Sequence, residues 1–181
     1  NGLKLMNQTG SFLEQEEFDS FMTWYNNDTH PLKGWDQIGS NTTISTALRD
    51  HVDKIVNTLE TDTIKKKQPR VLIDVNNGAG SVATPILFDT LGIPYTILNP
   101  EPNGHFAHNP EPTQDNLTEL LSEMKTGKYD IGFAQDADAD RLVIVDETGH
   151  FIGEDYSLAF CIDHILREET TAKKHVVVNL S

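Results

Sequence analysis

The sequence predicts an α/β fold, a layered mixed β-sheet flanked by helices. Two observations carry that expectation. Short apolar runs rich in β-branched or aromatic residues, Val71-Leu72-Ile73-Asp74-Val75, Tyr95-Thr96-Ile97-Leu98, Ile131-Gly132-Phe133-Ala134 and Leu142-Val143-Ile144-Val145, read as strands. Between and around them lie stretches with apolar residues at helical spacing, separated by glycine and proline punctuation. At this length one or two domains are expected.

From the N-terminus, Ser11-Phe12-Leu13-Glu14 fits a capping box. Phe12, Phe18, Phe21, Met22 and Tyr25 fall near helical spacing, so a helix is expected over about 11–25. Asn26-Asn27-Asp28 and the stretch from Pro31 to Ser40, with Gly34 and Gly39, break any regular pattern and serve as a linker, which puts the boundary near 40. Ile44, Leu48, Val52, Ile55, Val56 and Leu59 mark one face of a helix over about 42–60. Lys65-Lys66-Lys67 reads as a solvated loop before the first strand rather than a phosphate-binding patch.

After the strand at 71–75, Asn76-Asn77-Gly78-Ala79-Gly80 turns the chain into a helix over about 81–91, with Pro85 in the first turn or so, where its missing N–H costs little. Gly78 and Gly80 leave the six-residue dinucleotide fingerprint incomplete, so they are assigned to a tight turn and close helix packing. Gly92 ends that helix and the strand 95–98 follows. Pro100, Pro102, Pro110 and Pro112 then fix a loop that can continue neither element. His105 and His108 in it read as loop hydrogen-bonders. Thr113 is expected to cap a helix over about 114–126 with Leu117, Leu120, Leu121 and Met124 on its apolar face and Gly127 as its stop.

Strand, acidic loop and strand come next, then a hairpin-like turn at Glu147-Thr148-Gly149 and a return through His150-Phe151-Ile152. Gly153 opens a helix over about 154–168, its apolar face supplied by Leu158, Ala159, Cys161, Ile162, Ile165 and Leu166. His175-Val176-Val177-Val178-Asn179-Leu180 reads as a last strand. The lone Cys161 rules out an internal disulfide, and its place in the helical pattern predicts a buried thiol rather than a nucleophile.

At 181 residues with 37% hydrophobic content the chain can bury a sizeable core. No apolar run approaches the roughly 20 residues that span a bilayer, and the first residues lack the basic and apolar regions of a signal peptide. A soluble, cytoplasmic protein is expected. Sequons at Asn7, Asn27, Asn41 and Asn116 then read as chance. Starting at Asn1 and ending straight after an apolar run, the chain is expected to be a piece of a longer one. A net charge of −14 argues against nucleic acid and anionic membranes as partners.

The chemistry concentrates in Asp136-Ala137-Asp138-Ala139-Asp140-Arg141, wedged between two strand-like runs. In an extended segment alternate side chains point the same way, so Asp136, Asp138 and Asp140 can converge their oxygens while the small Ala137 and Ala139 keep the loop tight. A hard divalent cation suits such a set, and Mg²⁺ takes oxygen ligands beside phosphorylated substrates. Arg141 could hold a phosphate bidentately. A merely solvated acidic turn is the plain alternative, disfavoured because three like charges repel unless something neutralises them. An EF-hand fails: Glu147 sits at the twelfth position, but Arg141 stands where the sharp turn requires glycine, and strands rather than helices flank the loop. A haloacid-dehalogenase-like phosphatase, with Asp136 as nucleophile, fits only partly because Ala139 stands where Thr or Val is usual.

The motif resembles the metal-binding loop of the α-D-phosphohexomutases, the superfamily of phosphoglucomutase, phosphomannomutase and phosphoglucosamine mutase. Asn1-Gly2-Leu3-Lys4 is similar to the segment after the family's phosphoserine loop, Val71-Leu72-Ile73-Asp74 with Asn77-Gly78-Ala79-Gly80 to its second-domain strand and turn, and Asn109-Pro110-Glu111-Pro112 to the stretch before the metal loop. The resemblance covers the whole chain in order. It implies that 1–40 is the end of domain 1 plus a linker, 41–150 domain 2 with the metal loop, and 151–181 the start of domain 3. Ala107-His108-Asn109-Pro110 imitates the family's catalytic Ser-His-Asn-Pro, but Ala107 has no hydroxyl, so the phosphoserine is expected before residue 1.

The resemblance further implies a mutase that moves a phosphoryl group between the 1 and 6 positions of a hexose phosphate, through a phosphoserine and a bisphosphorylated intermediate. Asp136, Asp138 and Asp140 would hold Mg²⁺, Arg141 would contact phosphate, and Lys4 would donate or accept a proton. The phosphorylated hexose and the remaining domains of the parent chain are the implied partners, and this segment alone is expected to bind metal without turning over. A phosphatase using Asp136 and a non-enzymatic Ca²⁺-binding module stand as the alternatives.

Overall fold

A computed structural model describes residues 4–27, 32–168 and 175–177. The chain divides into two compact units, Asn1–Thr43 and Ile44–Ser181.

In the first unit, helix α1 spans Gln15–Asn26 and therefore starts about a turn later than its sequence suggests. Ser11 does not cap it, because the segment before it folds back on itself. Asn7 Oδ1 accepts the N–H of Thr9 at 3.0 Å, Asn7 N–H donates to the Ser11 carbonyl at 2.9 Å, and Met6 pairs with Phe12. The capping role passes one turn on, where the Glu17 carboxylate accepts the Glu14 N–H at 2.9 Å. Downstream, Trp35–Gln37 forms one short 3-10 turn in the expected linker. The expected family-like segment Asn1-Gly2-Leu3 and residues 28–31 lie outside the described residues.

The second unit is built on strands β1 (Val71–Asp74), β2 (Tyr95–Leu98), β3 (Ile131–Gln135) and β4 (Leu142–Val145), in the order β2-β1-β3-β4. β1 runs parallel to both β2 and β3, while β4 is antiparallel to β3. The sheet is mixed, as expected. Alternation along β1 explains why both faces are covered. Leu72 joins Leu117, Leu120, Met124, Ala134, Val143 and Val145 in one core, and Val71, Ile73 and Val75 join Phe88 in the other. Helix α4 (Gly80–Leu91) therefore packs on one face and α5 (Thr118–Met124) on the opposite one. This gives three layers, α/β/α.

Helix boundaries are where sequence and structure part. The single helix expected over 42–60 is two, α2 (Ala47–Val56) and α3 (Thr61–Lys67), leaving Ile44 and Leu59 outside them and exposed. Lys65, Lys66 and Lys67 form the last turn of α3 rather than a loop, which favours their charge at the negative end of the helix dipole. Pro85 is the sixth residue of α4, past the first turn, so the carbonyl of Ser81 lacks the N–H it would otherwise receive. α5 begins at Thr118 rather than Gln114, and Thr113 does not cap it; Leu117, Leu120 and Met124 are buried all the same. Helix α6 (Glu154–Glu168) has the expected bounds but no buried residue. Cys161 is exposed, contrary to expectation, because the apolar face of α6 is only partly covered: Ile162 and Leu166 are half-buried, whereas Leu158 and Ile165 are each more than half exposed. Of the last expected strand, residues 175–177 show no regular structure and 178–180 lie outside the described residues. Among the described residues no helix is long and apolar enough to cross a membrane.

Candidate metal centre

The strand order places the site. From β1 the chain crosses one way to β2 and then returns past β1 to β3, so the order reverses between β1 and β3. Clefts at the carboxyl ends of strands flanking such a reversal are the usual ligand sites of open α/β sheets. Two segments leave the sheet there side by side, since Asp74 is in register with Ala134: the turn Asn76–Ala79 after β1, and the acidic loop 136–141 after β3. A cleft of about 260 Å³ lies between them and the proline-rich loop, lined by Asn77, Gly78, Ala79, Pro102, Phe106 and Ala137.

The acidic loop brings Asp136, Asp138 and Asp140 together, one carboxylate oxygen of each lying within 4.8 Å of the others. It does so by turning rather than by extended alternation, which corrects the expected geometry. Ala139 N–H donates to the Asp136 carbonyl at 3.2 Å, and Ala139 itself is in the left-handed region with φ +61°. Asp136 Oδ1 accepts the N–H groups of Asp140 and Arg141, each at 3.1 Å, and so ties the start of the loop to its end. Burial raises the Asp136 carboxyl above its ordinary value, against the N–H of Arg141, and the negative charges of Asp138 and Asp140 add to the rise.

These donors fit Mg²⁺ chemically. All are hard carboxylate oxygens, and ligands at ~2.1 Å in an octahedron stand ~3–4 Å from one another. The observed spread needs only a small contraction. Like charges this close repel one another, and a divalent cation among them would offset that repulsion.

Arg141 sits at the end of this loop, about half exposed, with Nη1 3.8 Å from Glu111 Oε1. Glu111 is held in turn by the loop: its N–H donates to Asn109 Oδ1 at 3.2 Å, and its carbonyl accepts from Asn116 Nδ2 at 2.8 Å. Lys4 belongs to the first unit, where it is exposed at the edge of a pocket lined by Leu5, Phe12, Leu13 and Phe18.

A buried polar network supports the site, and sequence gave little sign of it. Asp74, 1% exposed, accepts the Asn76 N–H at 2.9 Å and Asn99 Nδ2 at 3.1 Å on one oxygen, and lies 3.1 Å from His108 Nε2 on the other. Asn76 Oδ1 accepts the N–H groups of Ala107 and His108, and its amide donates to the His108 carbonyl. Asn77 donates to the His105 carbonyl and accepts the Glu101 N–H. Both asparagines have positive φ, +46° and +54°, which asparagine tolerates better than most residues. His108 is a hydrogen-bonder, as expected, through Nδ1 toward the Asn109 carbonyl within the loop, but its Nε2 reaches out of the loop to Asp74 of β1, which was not expected.

Residues 49–149 match the family described as phosphoglucomutase/phosphomannomutase, alpha/beta/alpha domain II. A phosphoglucomutase/phosphomannomutase of Thermococcus kodakarensis is 38% identical over 170 residues, 93% of this chain and 37% of that protein. A Methanococcoides burtonii protein named a probable phosphoglucosamine mutase is 37% identical over 164 residues, 90% of this chain and 37% of its own length. Among solved structures, a phosphoglucomutase/phosphomannomutase family protein of Burkholderia thailandensis superposes with a TM-score of 0.69 at 22% identity, covering 86% of this chain and 32% of its own, a likeness of fold. The chain spans a little over a third of the length of these curated relatives.

Proposed function

The chain belongs to the phosphoglucomutase/phosphomannomutase family, and on that premise we propose that it is the metal-holding part of a phosphohexomutase. The parent enzyme would move a phosphoryl group between the 1 and 6 positions of a hexose phosphate, by way of a phosphoserine outside this segment and a bisphosphorylated sugar. In this reading 1–40 ends a first domain, 41–150 is the second and 151–181 begins a third, in a cytoplasmic enzyme.

The observation that carries the proposal is the gathering of three carboxylate oxygens within 4.8 Å at the reversal point of the sheet. In-line phosphoryl transfer needs positioning and charge neutralisation more than covalent help from the protein. Asp136, Asp138 and Asp140 would hold Mg²⁺, which supplies positive charge against the transferred group. Arg141, drawn toward Glu111 at 3.8 Å, would turn its guanidinium to a phosphate, a better-matched partner than a single exposed carboxylate. Lys4, from the first unit, would donate or accept the proton of the reacting hydroxyl. The overall charge of −14 makes such local cations necessary for an anionic substrate.

Calorimetric titration of the chain with Mg²⁺ tests the metal assignment. Binding that Asp138→Ala abolishes with the fold intact supports it. Selective binding of Ca²⁺, or an aspartyl-phosphate trapped at Asp136, would replace it by the calcium-module or phosphatase reading. Appreciable mutase turnover by the segment alone would refute the division of labour.

A further inference from the structure

Gly78 has no conformational reason to be glycine. Unlike Gly92 or Gly127, it does not occupy the left-handed region. What it lacks is room. A Cβ at Gly78 would lie 2.6 Å from the carbonyl oxygen of Ala137 and 3.1 Å from its carbonyl carbon and Cα, all of them backbone atoms. Ala137 is the residue between the first two candidate ligands. Its carbonyl is also captured: Ala79 N–H donates to it at 2.9 Å.

The residue on the other side of Asp136 is held from α4, the helix that follows this turn. Thr84 Oγ1 donates to Gln135 Oε1 at 3.1 Å, and that amide lies against Gly80, where a Cβ would collide with it. The turn is tied from behind, since Gly78 N–H donates to the Val75 carbonyl at 2.8 Å and Asn77 N–H to the Asn99 carbonyl at 2.7 Å. An atom added at Gly78 would press on the backbone of the acidic loop at Ala137.

We propose that the turn residues Gly78 and Ala79, together with Thr84 of α4, position the metal loop by seating the residues on either side of Asp136. These are positioning residues, and the inference rests on the metal assignment above. Substitutions behind metal ligands typically weaken binding by about 10–100-fold.

The test uses the 181-residue chain and Mn²⁺ as the probe, with free Mn²⁺ measured by EPR and bound Mn²⁺ by water-proton relaxivity. Gly78→Ala should weaken Mn²⁺ binding about tenfold or more. It should also raise the relaxivity of bound Mn²⁺, as water replaces a withdrawn carboxylate. Adding Ala137→Gly, which frees the carbonyl to turn aside, should restore much of the affinity. Val82→Ala, on the exposed side of the same helix, should change neither reading. A folded Gly78→Ala with parental affinity and relaxivity overturns the inference. If Gly78→Ala does not fold, Thr84→Val decides: it removes only the hydroxyl bonded to Gln135, and weakened Mn²⁺ binding upholds the inference whereas parental binding overturns it. Failure of the parent chain to bind Mn²⁺, or binding untouched by Asp138→Asn, sinks the metal assignment itself and this inference with it. Binding that needs Asp138 but ignores Gly78→Ala sinks the inference alone.

Discussion

Asp74 and His108 meet at 3.1 Å between a carboxylate oxygen and Nε2, joining the buried end of β1 to a loop 34 residues further along. His108 Nδ1 faces the Asn109 carbonyl at 2.8 Å, so both ring nitrogens are engaged. Asp74→Ala would strand the Asn76 N–H, Asn99 Nδ2 and His108 Nε2 at once. An expected loss of about 2–3 kcal/mol in urea unfolding follows from leaving such donors unpaired. A loss well under about 1 kcal/mol would mean that the network contributes little.

Arg70 and Asp130 form a second link, between the starts of β1 and β3. Arg70 donates from Nε at 3.1 Å, from Nη2 at 2.7 Å and from its backbone N–H at 2.8 Å, and the guanidinium hydrogen bond, with that N–H, holds the Asp130 carboxyl down to about 2. A folded value below the unfolded one gives stability that is present above pH ~4 and lost as pH falls toward ~2. Acid titration monitored by circular dichroism should show that limb, and Asp130→Asn should make it shallower. An unchanged slope would remove Asp130 from the acid response.

Ala139 holds φ +61° in the middle of the acidic loop. The left-handed region costs a residue with a Cβ about 1–2 kcal/mol, while glycine adds about 0.4–1 kcal/mol of unfolded-chain entropy. Ala139→Gly should therefore be neutral or stabilising by up to about 1.5 kcal/mol. Thermal denaturation checks the sign, and clear destabilisation would show that the methyl group packs usefully.

Mg²⁺ should raise the melting temperature of the chain, and Asp138→Ala should erase that rise. Ligand at about a hundredfold above its dissociation constant stabilises by about 2.7 kcal/mol. In chelator, thermal denaturation of the same variant reads what Asp138 contributes to the fold alone. Marked destabilisation in chelator would assign Asp138 to the fold instead.

Strands were the legible part of the chain. β1 to β4 are short apolar runs whose burial on one or both faces leaves a direct mark in composition. Helix ends were not. Asn57 N–H already turns back to the carbonyls of both Asp53 and Ile55, and Thr58 caps Ile55, so one apolar stripe breaks into α2 and α3. The carboxylates of the acidic loop could be picked out because they are neighbours in sequence. Glu111 beside Arg141, Asp74 beside His108 and Gly78 against Ala137 could not, since each contact closes over 30 residues or more of chain. Cys161 misled because an apolar helix stripe signals a face that packs, not what is at hand to cover it.

The antiparallel turn back through β4 has a practical consequence. Val145 pairs with Gly132, so Glu147 and Thr148 emerge at the end of the sheet opposite the acidic loop. Both are exposed. A fluorophore attached at Glu147→Cys, in a Cys161→Ser background to silence the exposed native thiol, would report on the chain from the sheet's far end and leave the acidic loop untouched.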